Sequence, residues 1–246
     1  MIKKHIPNLI TLLNLFCGSI AVLYAVQDNL FAAAIFVMMG IVFDFFDGFA
    51  ARLLNVKSEL GLQLDSLADM ITSGLVPGIV LFKLFEKATQ KFSYTTDFFN
   101  GGWNTEAFVW LPLIGLLVTL ASCYRLAKFN IDTRQTDSFI GLPTPANTLL
   151  ILSLPLILMT NDTEWLHNLI LNKWFLISIT VLSCYLLNAE IPLFSLKMKT
   201  YGFAANSVKY IFLILTVILI ATLHFLAIPL VILLYILLSV ITNFKK

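Results

Sequence analysis

Charge is what this chain has least of. Asp, Glu, Lys and Arg make up 12% of its 246 residues, against 59% hydrophobic residues, and the mean hydropathy is +0.90. Too few polar groups are available to cover a soluble domain of this size. The composition therefore points to an all-α, polytopic membrane helix bundle. The net charge of +2 supplies no basic field for a nucleic-acid partner, and none is expected. Cysteine is nearly as scarce. Cys17, Cys123 and Cys184 lie far apart without metal-ligand spacing, which favours buried packing thiols. No cleavable leader is expected either. MIKKHIPNLITLLNLFCG runs into an apolar stretch of full spanning length with no small-residue cleavage site, so the first segment is expected to stay as a helix. No internal repeat or low-complexity tract divides the chain, and residues 1–246 are expected to form one domain.

What the chain has in abundance is apolar segments of membrane length, about 20 residues each. Eight candidates lie at roughly 7–26, 30–54, 61–85, 107–130, 143–160, 173–191, 208–225 and 227–244. A tight hairpin near Ala227 and Pro229 gives eight spans; a mere kink there gives seven. Lys and Arg set the orientation. With the N-terminus in the cytoplasm, 12 of the 16 fall inside, leaving Lys83, Lys87, Lys91 and Lys173 outside. Both termini are therefore expected in the cytoplasm of a multi-pass inner-membrane protein. The longest loop, 86–106, is expected outside, where Phe92, Tyr94, Phe98, Phe99 and Trp103 suit an interfacial belt.

Against this background stands FDFFDGFAARLLNVKSELGLQLDSLADM, residues 43–70. A carboxylate at the bilayer centre costs on the order of 2.5–3.5 kcal/mol, and Asp44, Asp47, Asp65 and Asp69 occupy two neighbouring spans. At about 100° per residue, Asp44 and Asp47 share a helix face with Gly48 and Ala51, with Arg52 at its edge. Asp65 and Asp69 share a face of the next helix, with Gly61 one turn earlier. The connection around Asn55 to Ser58 is short, so the two helices are expected as antiparallel neighbours. Two carboxylate pairs would then face one space below the cytoplasmic surface. Like charges cannot share a dry pocket unpaired. Arg52 is expected to offset one of them. Divalent cations are the natural partners for the rest, and an all-oxygen set without His or Cys selects Mg²⁺ or Mn²⁺. A two-metal site suits displacement at phosphorus.

The pattern is Asp44-x-x-Asp47-Gly48-x-x-Ala51-Arg52, eight residues, then Gly61-x-x-x-Asp65-x-x-x-Asp69. This resembles the signature of the CDP-alcohol phosphotransferases at all of its fixed positions. The resemblance implies transfer of a phosphatidyl or similar group from a CDP-linked donor to an alcohol, with release of CMP. It implies metal at Asp44, Asp47, Asp65 and Asp69. It also implies room for the nucleotide at Gly48, Ala51 and Gly61, phosphate binding at Arg52, and a general base at Asp69.

IPNLITLLNLFCG at the start, SCYRLAKFNID at 122–132, GLPTPAN at 141–147, and IPLFSLKMK with NSVKY at 191–210 extend the resemblance. Their order is similar to the membrane-bound branch of that family that takes L-serine as acceptor and CDP-diacylglycerol as donor. Leu187-Asn188-Ala189 departs from a Met-Val-Ser type sequence in many relatives. A homodimer in membrane lipid is expected by resemblance alone. Arg125 and Lys128, at the inner end of the fourth span, serve either as positive-inside anchors or as ligands for the donor phosphates or the serine carboxylate. Asp132 is a candidate for the serine ammonium. Asn8 and Thr11 either cap the first helix after Pro7 or belong to the nucleotide site. Gly74 and Gly78, with Pro77 between them, suggest a kink or close helix packing rather than a dimer seam. Glycerol 3-phosphate or inositol remains an alternative acceptor. An ion transporter is the alternative from another class, although acids grouped at one side of the membrane do not trace a path across it.

Overall fold

A computed structural model describes residues 5–56, 58–89, 110–132, 139–194 and 203–244. The expected outer-loop belt from Phe92 to Trp103 lies outside the described residues, as do Lys3, Lys4, Lys57, Lys91, Arg134, Lys197, Lys199, Lys245 and Lys246. Helix dominates, because a backbone in lipid must satisfy its polar groups within its own segment. Helices α1 (His5–Val26) and α2 (Leu30–Leu53) form the first hairpin, with the Asn29 side chain capping α2. α3 (Glu59–Asp69) runs into a π-helical turn, Met70–Leu75, and on into α4 (Val76–Thr89), making one long span. After a 3₁₀ turn at Leu111–Leu116 come α5 (Leu117–Ile131) and α6 (Thr144–Thr160). A short α7 (Glu164–Ile170) meets α8 (Lys173–Asn188) at 59°. α9 (Phe203–Leu223) and α10 (Ala227–Phe244) close the chain.

By length and composition, five of the described helical stretches can cross a membrane, or six with the bent α7–α8 pair as one span. That number differs from the expected eight for two local reasons. α6 is a 17-residue helix, one turn short of spanning length and mostly buried. The α9–α10 region counts as a single apolar stretch. It nevertheless folds back on itself. The rings of Phe212 and Tyr235 lie 5.7 Å apart, whereas a continuous helix would separate them by about 35 Å. The chain reverses at His224–Leu226, where His224 takes a positive φ of 49°.

Small residues let the backbones approach. Cys17, Gly18, Ala21 and Ala25 of α1 are buried, as are Ala33, Ala34 and Gly40 of α2. Gly78 of α4 packs within its own chain, against Thr119 and Gly115. Packing is therefore its role, as expected. The three cysteines are free, but only Cys17 is buried; Cys184 is half-buried and Cys123 exposed, so the packing role fails for Cys123. The large exposed apolar side chains, such as Phe16, Phe45 and Leu120, suit a lipid-facing surface.

One feature departs from pure helix. The two-residue strands β1 (Phe139–Ile140) and β2 (Pro192–Leu193) pair antiparallel, Phe139 with Leu193 and Ile140 with Pro192. They tie the connection before α6 to the one after α8. Gly141 follows β1 at φ +73°, and a Cβ there would meet the carbonyl oxygen of Leu187.

Candidate active site

The acids sit where three helices meet. α1 packs along α2 and also against α3 and the π turn, while α2 and α3 make few contacts with each other. The expected antiparallel neighbours are therefore splayed, and α1 supplies a third wall. Across the gap, ligand oxygens of Asp44, Asp47 and Asp65 lie within 4.8 Å of one another. A Cβ at Gly48 would meet nothing within 4 Å, so this glycine borders open space. Ala51 is half-buried on the same helix. At Gly61, a Cβ would stand 3.1 Å from the Ser58 hydroxyl and 3.3 Å from Asn8 Oδ1, which places Asn8 beside the start of α3. The Ser58 hydroxyl accepts from the Gly61 N–H at 3.0 Å and caps that helix.

Thr11 uses its hydroxyl twice, against the Pro7 carbonyl and against Oδ2 of Asp47. It is thus part of the acidic site and not a helix cap. Asp69 stands outside the group of three. Its Oδ1 accepts from Asn14 Nδ2 at 3.2 Å, and the charges of Asp65, Asp47 and Arg125 reach it. The geometry thus offers one three-carboxylate group with a fourth carboxylate beside it, instead of two equal pairs.

Arg52 does not offset any of these charges. It is exposed, and its Nε donates to the Gly48 carbonyl one turn back, at 3.0 Å. The end of a helix at the surface lets a long cationic side chain turn outward to water. Among the described residues the cation set toward Asp69 is Arg125, buried on α5, with Nε unpartnered and its charge felt by that carboxylate. Lys128, one turn later, pairs with Glu190 at 3.4 Å. The sequence placed Arg125 and Lys128 together; the structure gives them different partners.

Magnitudes bear on what the three carboxylates can hold. At an effective dielectric of about 20, two ionised groups at this separation repel by about 3–4 kcal/mol. A hydrogen bond to a charged group returns about 1.5–3 kcal/mol, and Thr11 supplies one. The trio is therefore poorly compensated by protein alone. Oδ1 of Asp65 is buried and has no hydrogen-bond partner. A buried lone pair aimed at no donor, within an all-oxygen set, fits a hard divalent ion such as Mg²⁺ or Mn²⁺.

Sequence reasoning missed Asn14 and Thr72. Thr72 Oγ1 donates to Asn14 Oδ1 at 2.8 Å, which turns the Asn14 amide nitrogen toward Asp69. For Asn14 a signal was available: Asn8, Thr11 and Asn14 recur every three residues down one face of a mostly apolar helix.

Known proteins are similar to this chain. A family model described as CDP-alcohol phosphatidyltransferase matches residues 4–186. The chain is 35% identical over 146 residues to the CDP-diacylglycerol–serine O-phosphatidyltransferase of Bacillus subtilis (strain 168), covering 58% of this chain and 70% of that one. It is 30% identical over 170 residues to the Saccharomyces cerevisiae protein of the same name, with 63% and 54% covered. It is 29% identical over 143 residues to the archaetidylserine synthase of Methanothermobacter thermautotrophicus, with 57% and 53% covered. The match thus spans about half the length of several of these relatives. With the family model covering most of the bundle and the acids of α2 and α3 converging as that signature requires, this chain belongs to the CDP-alcohol phosphatidyltransferase family.

Proposed function

We propose that the chain transfers the phosphatidyl group of CDP-diacylglycerol to the hydroxyl of L-serine, giving phosphatidylserine and CMP. The observation that carries this reading is the group formed by Asp44, Asp47 and Asp65, with Asp69 and Arg125 next to it. The serine-specific names of the relatives support the acceptor. The inner excess of Lys and Arg supports a site at the cytoplasmic face of the cell membrane.

Asp44, Asp47 and Asp65 would hold Mg²⁺ or Mn²⁺, which when bound neutralises the donor pyrophosphate and withdraws charge from phosphorus. The chain's own groups do the rest. The serine hydroxyl oxygen bonds to the phosphorus that carries diacylglycerol. The bond from that phosphorus to the oxygen of the CMP phosphate breaks, and CMP leaves with the electron pair. Asp69 takes the hydroxyl proton, since an unassisted hydroxyl is a weak nucleophile at neutral pH. Asn14 holds the Asp69 carboxylate in place through one oxygen and leaves the other to accept the proton. Gly48 leaves room for the nucleotide, and Arg52, free to swing at the surface, reaches phosphate. The lipid tails stay in the bilayer against the apolar outer faces of the helices.

The test is CMP release by purified protein given CDP-diacylglycerol with serine, glycerol 3-phosphate or inositol singly, with and without EDTA. Metal-dependent release with serine alone is expected. Release driven by another acceptor reassigns the alcohol, and no CMP release with any acceptor overturns the reading.

A further inference from the structure

α3 carries Asp65 and Asp69, yet it packs only slightly against α2, which carries Asp44 and Asp47. Other elements must therefore set how far Asp65 stands from the acids of α2. α1 is one of them, with Asn14 donating to Asp69 at 3.2 Å. α5 is the second. The hydroxyl of Ser66, the residue after Asp65, meets both ends of the Asn130 amide, 3.1 Å from Oδ1 and 2.9 Å from Nδ2. A hydroxyl can donate or accept, so either end of the amide keeps it bonded.

Asn130 does not act alone on α5. Thr119, eleven residues earlier, donates to the Gly74 carbonyl of the π turn at 3.0 Å. Eleven residues make three helical turns, so Thr119 and Asn130 share a face of α5 about 16 Å apart. Their partners, Gly74 and Ser66, lie on either side of Asp69 in the chain. α5 thus runs antiparallel to this span and grips it at two points. One grip fixes a position; two fix an angle as well. The grip beside Asp65 is the Ser66–Asn130 bond. Both residues are half-buried, and packing between α3 and α5 is slight, so the bond is the main link between these two helices.

We infer that Asn130 is a positioning residue: through Ser66 it holds α3 at the distance and rotation that bring Asp65 to Asp44 and Asp47. This rests on those three carboxylates holding the metal, as proposed above. Without the bond, a divalent ion has to draw Asp65 into place as it binds, and that ordering is subtracted from its affinity.

The experiment measures Mn²⁺ affinity by electron paramagnetic resonance, CMP release and the unfolding midpoint in Ser66→Ala, Asn130→Ala, the double variant and Ser66→Thr. Each single alanine is expected to weaken Mn²⁺ binding by about threefold to tenfold, the range of one lost hydrogen bond. The double variant should bind no more weakly than the worse single, because the two residues make one interaction. Ser66→Thr keeps the hydroxyl and should bind Mn²⁺ as wild type does. At saturating Mn²⁺, KM for serine should be unchanged. A role confined to helix packing would lower the unfolding midpoint and leave the Mn²⁺ affinity of the folded protein intact. A direct contact with the acceptor would raise KM for serine in Asn130→Ala and not in Ser66→Ala. Either result, or additive losses in the double variant, overturns the inference. If the alanine variants do not fold, Ser66→Cys keeps the shape with a weaker hydrogen-bonding group and is read in the same way. A wild type that binds no Mn²⁺ and releases no CMP overturns instead the proposed function.

Discussion

Asn14 Nδ2 stands 3.2 Å from Asp69 Oδ1, joining the first span to the third in the buried part of the site. Thr72, three residues past Asp69, locks the amide by donating to its oxygen at 2.8 Å. The chain Thr72–Asn14–Asp69 thus fixes one carboxylate oxygen. Asn14→Leu should keep the fold, lose this restraint and lower kcat by about tenfold to a hundredfold. Asn14→Asp would set a second acceptor against Asp69 and lower kcat further. Steady-state CMP release, with CDP-diacylglycerol binding measured in parallel, checks both. Equal effects on binding and turnover would remove the positioning role.

Asp69 is the carboxylate outside the group of three, so its loss should leave the metal site whole. Asp69→Asn keeps the shape and the Asn14 contact but cannot take a proton. Turnover should fall by about 10²–10⁴-fold, while CDP-diacylglycerol binding and Mn²⁺ binding persist. Near-normal turnover in this variant would show that another group accepts the proton.

The acids were legible because helical spacing is arithmetic: three and four residues apart means one face. The pairing of α2 with α3 across a shared space followed from the short connection. What the pattern could not give was the packing of α1 against both of them, since the apolar residues of α1 carry no directional preference strong enough to choose a neighbour. The π turn at Met70–Leu75 was also hidden. Its stability comes from Thr119 and Thr148, which are distant in sequence. Arg52 was misjudged for a related reason. It is close to the acids along the chain, but its side chain is exposed, whereas Arg125 reaches Asp69 from α5 through tertiary packing.

Asp44, Asp47 and Asp65 form one unit, so each should matter to metal. EDTA should abolish CMP release, and Mg²⁺ or Mn²⁺ should restore it. Asp65→Asn removes the carboxylate whose Oδ1 is buried without a partner. Mn²⁺ affinity, read by electron paramagnetic resonance, should weaken by about tenfold or more, because ligand charge sets affinity for hard cations. Unchanged Mn²⁺ affinity would place the ion elsewhere.

Arg52 is exposed and bonded only to a backbone carbonyl of its own helix among the contacts described. Arg52→Ala should therefore change stability by no more than about 0.5 kcal/mol. As a phosphate ligand for the donor, it should raise KM for CDP-diacylglycerol by about tenfold and leave KM for serine unchanged. A variant with both KM values intact would reduce Arg52 to a surface anchor.

Pro77 removes one backbone donor from the junction behind Asp69. Proline has no N–H to return to the turn before it, and the carbonyl of Ser73 accepts instead from Thr148 at 2.8 Å. Thr148→Val keeps the shape and volume but leaves that buried carbonyl without its donor. The loss should be about 1–3 kcal/mol, seen as a lowered unfolding midpoint in detergent. Thr148→Ser restores the hydroxyl and should recover most of the stability. If valine proved as stable as threonine, the π turn would be held by Thr119, which donates to the Gly74 carbonyl at 3.0 Å, and Thr119→Val would carry the deficit.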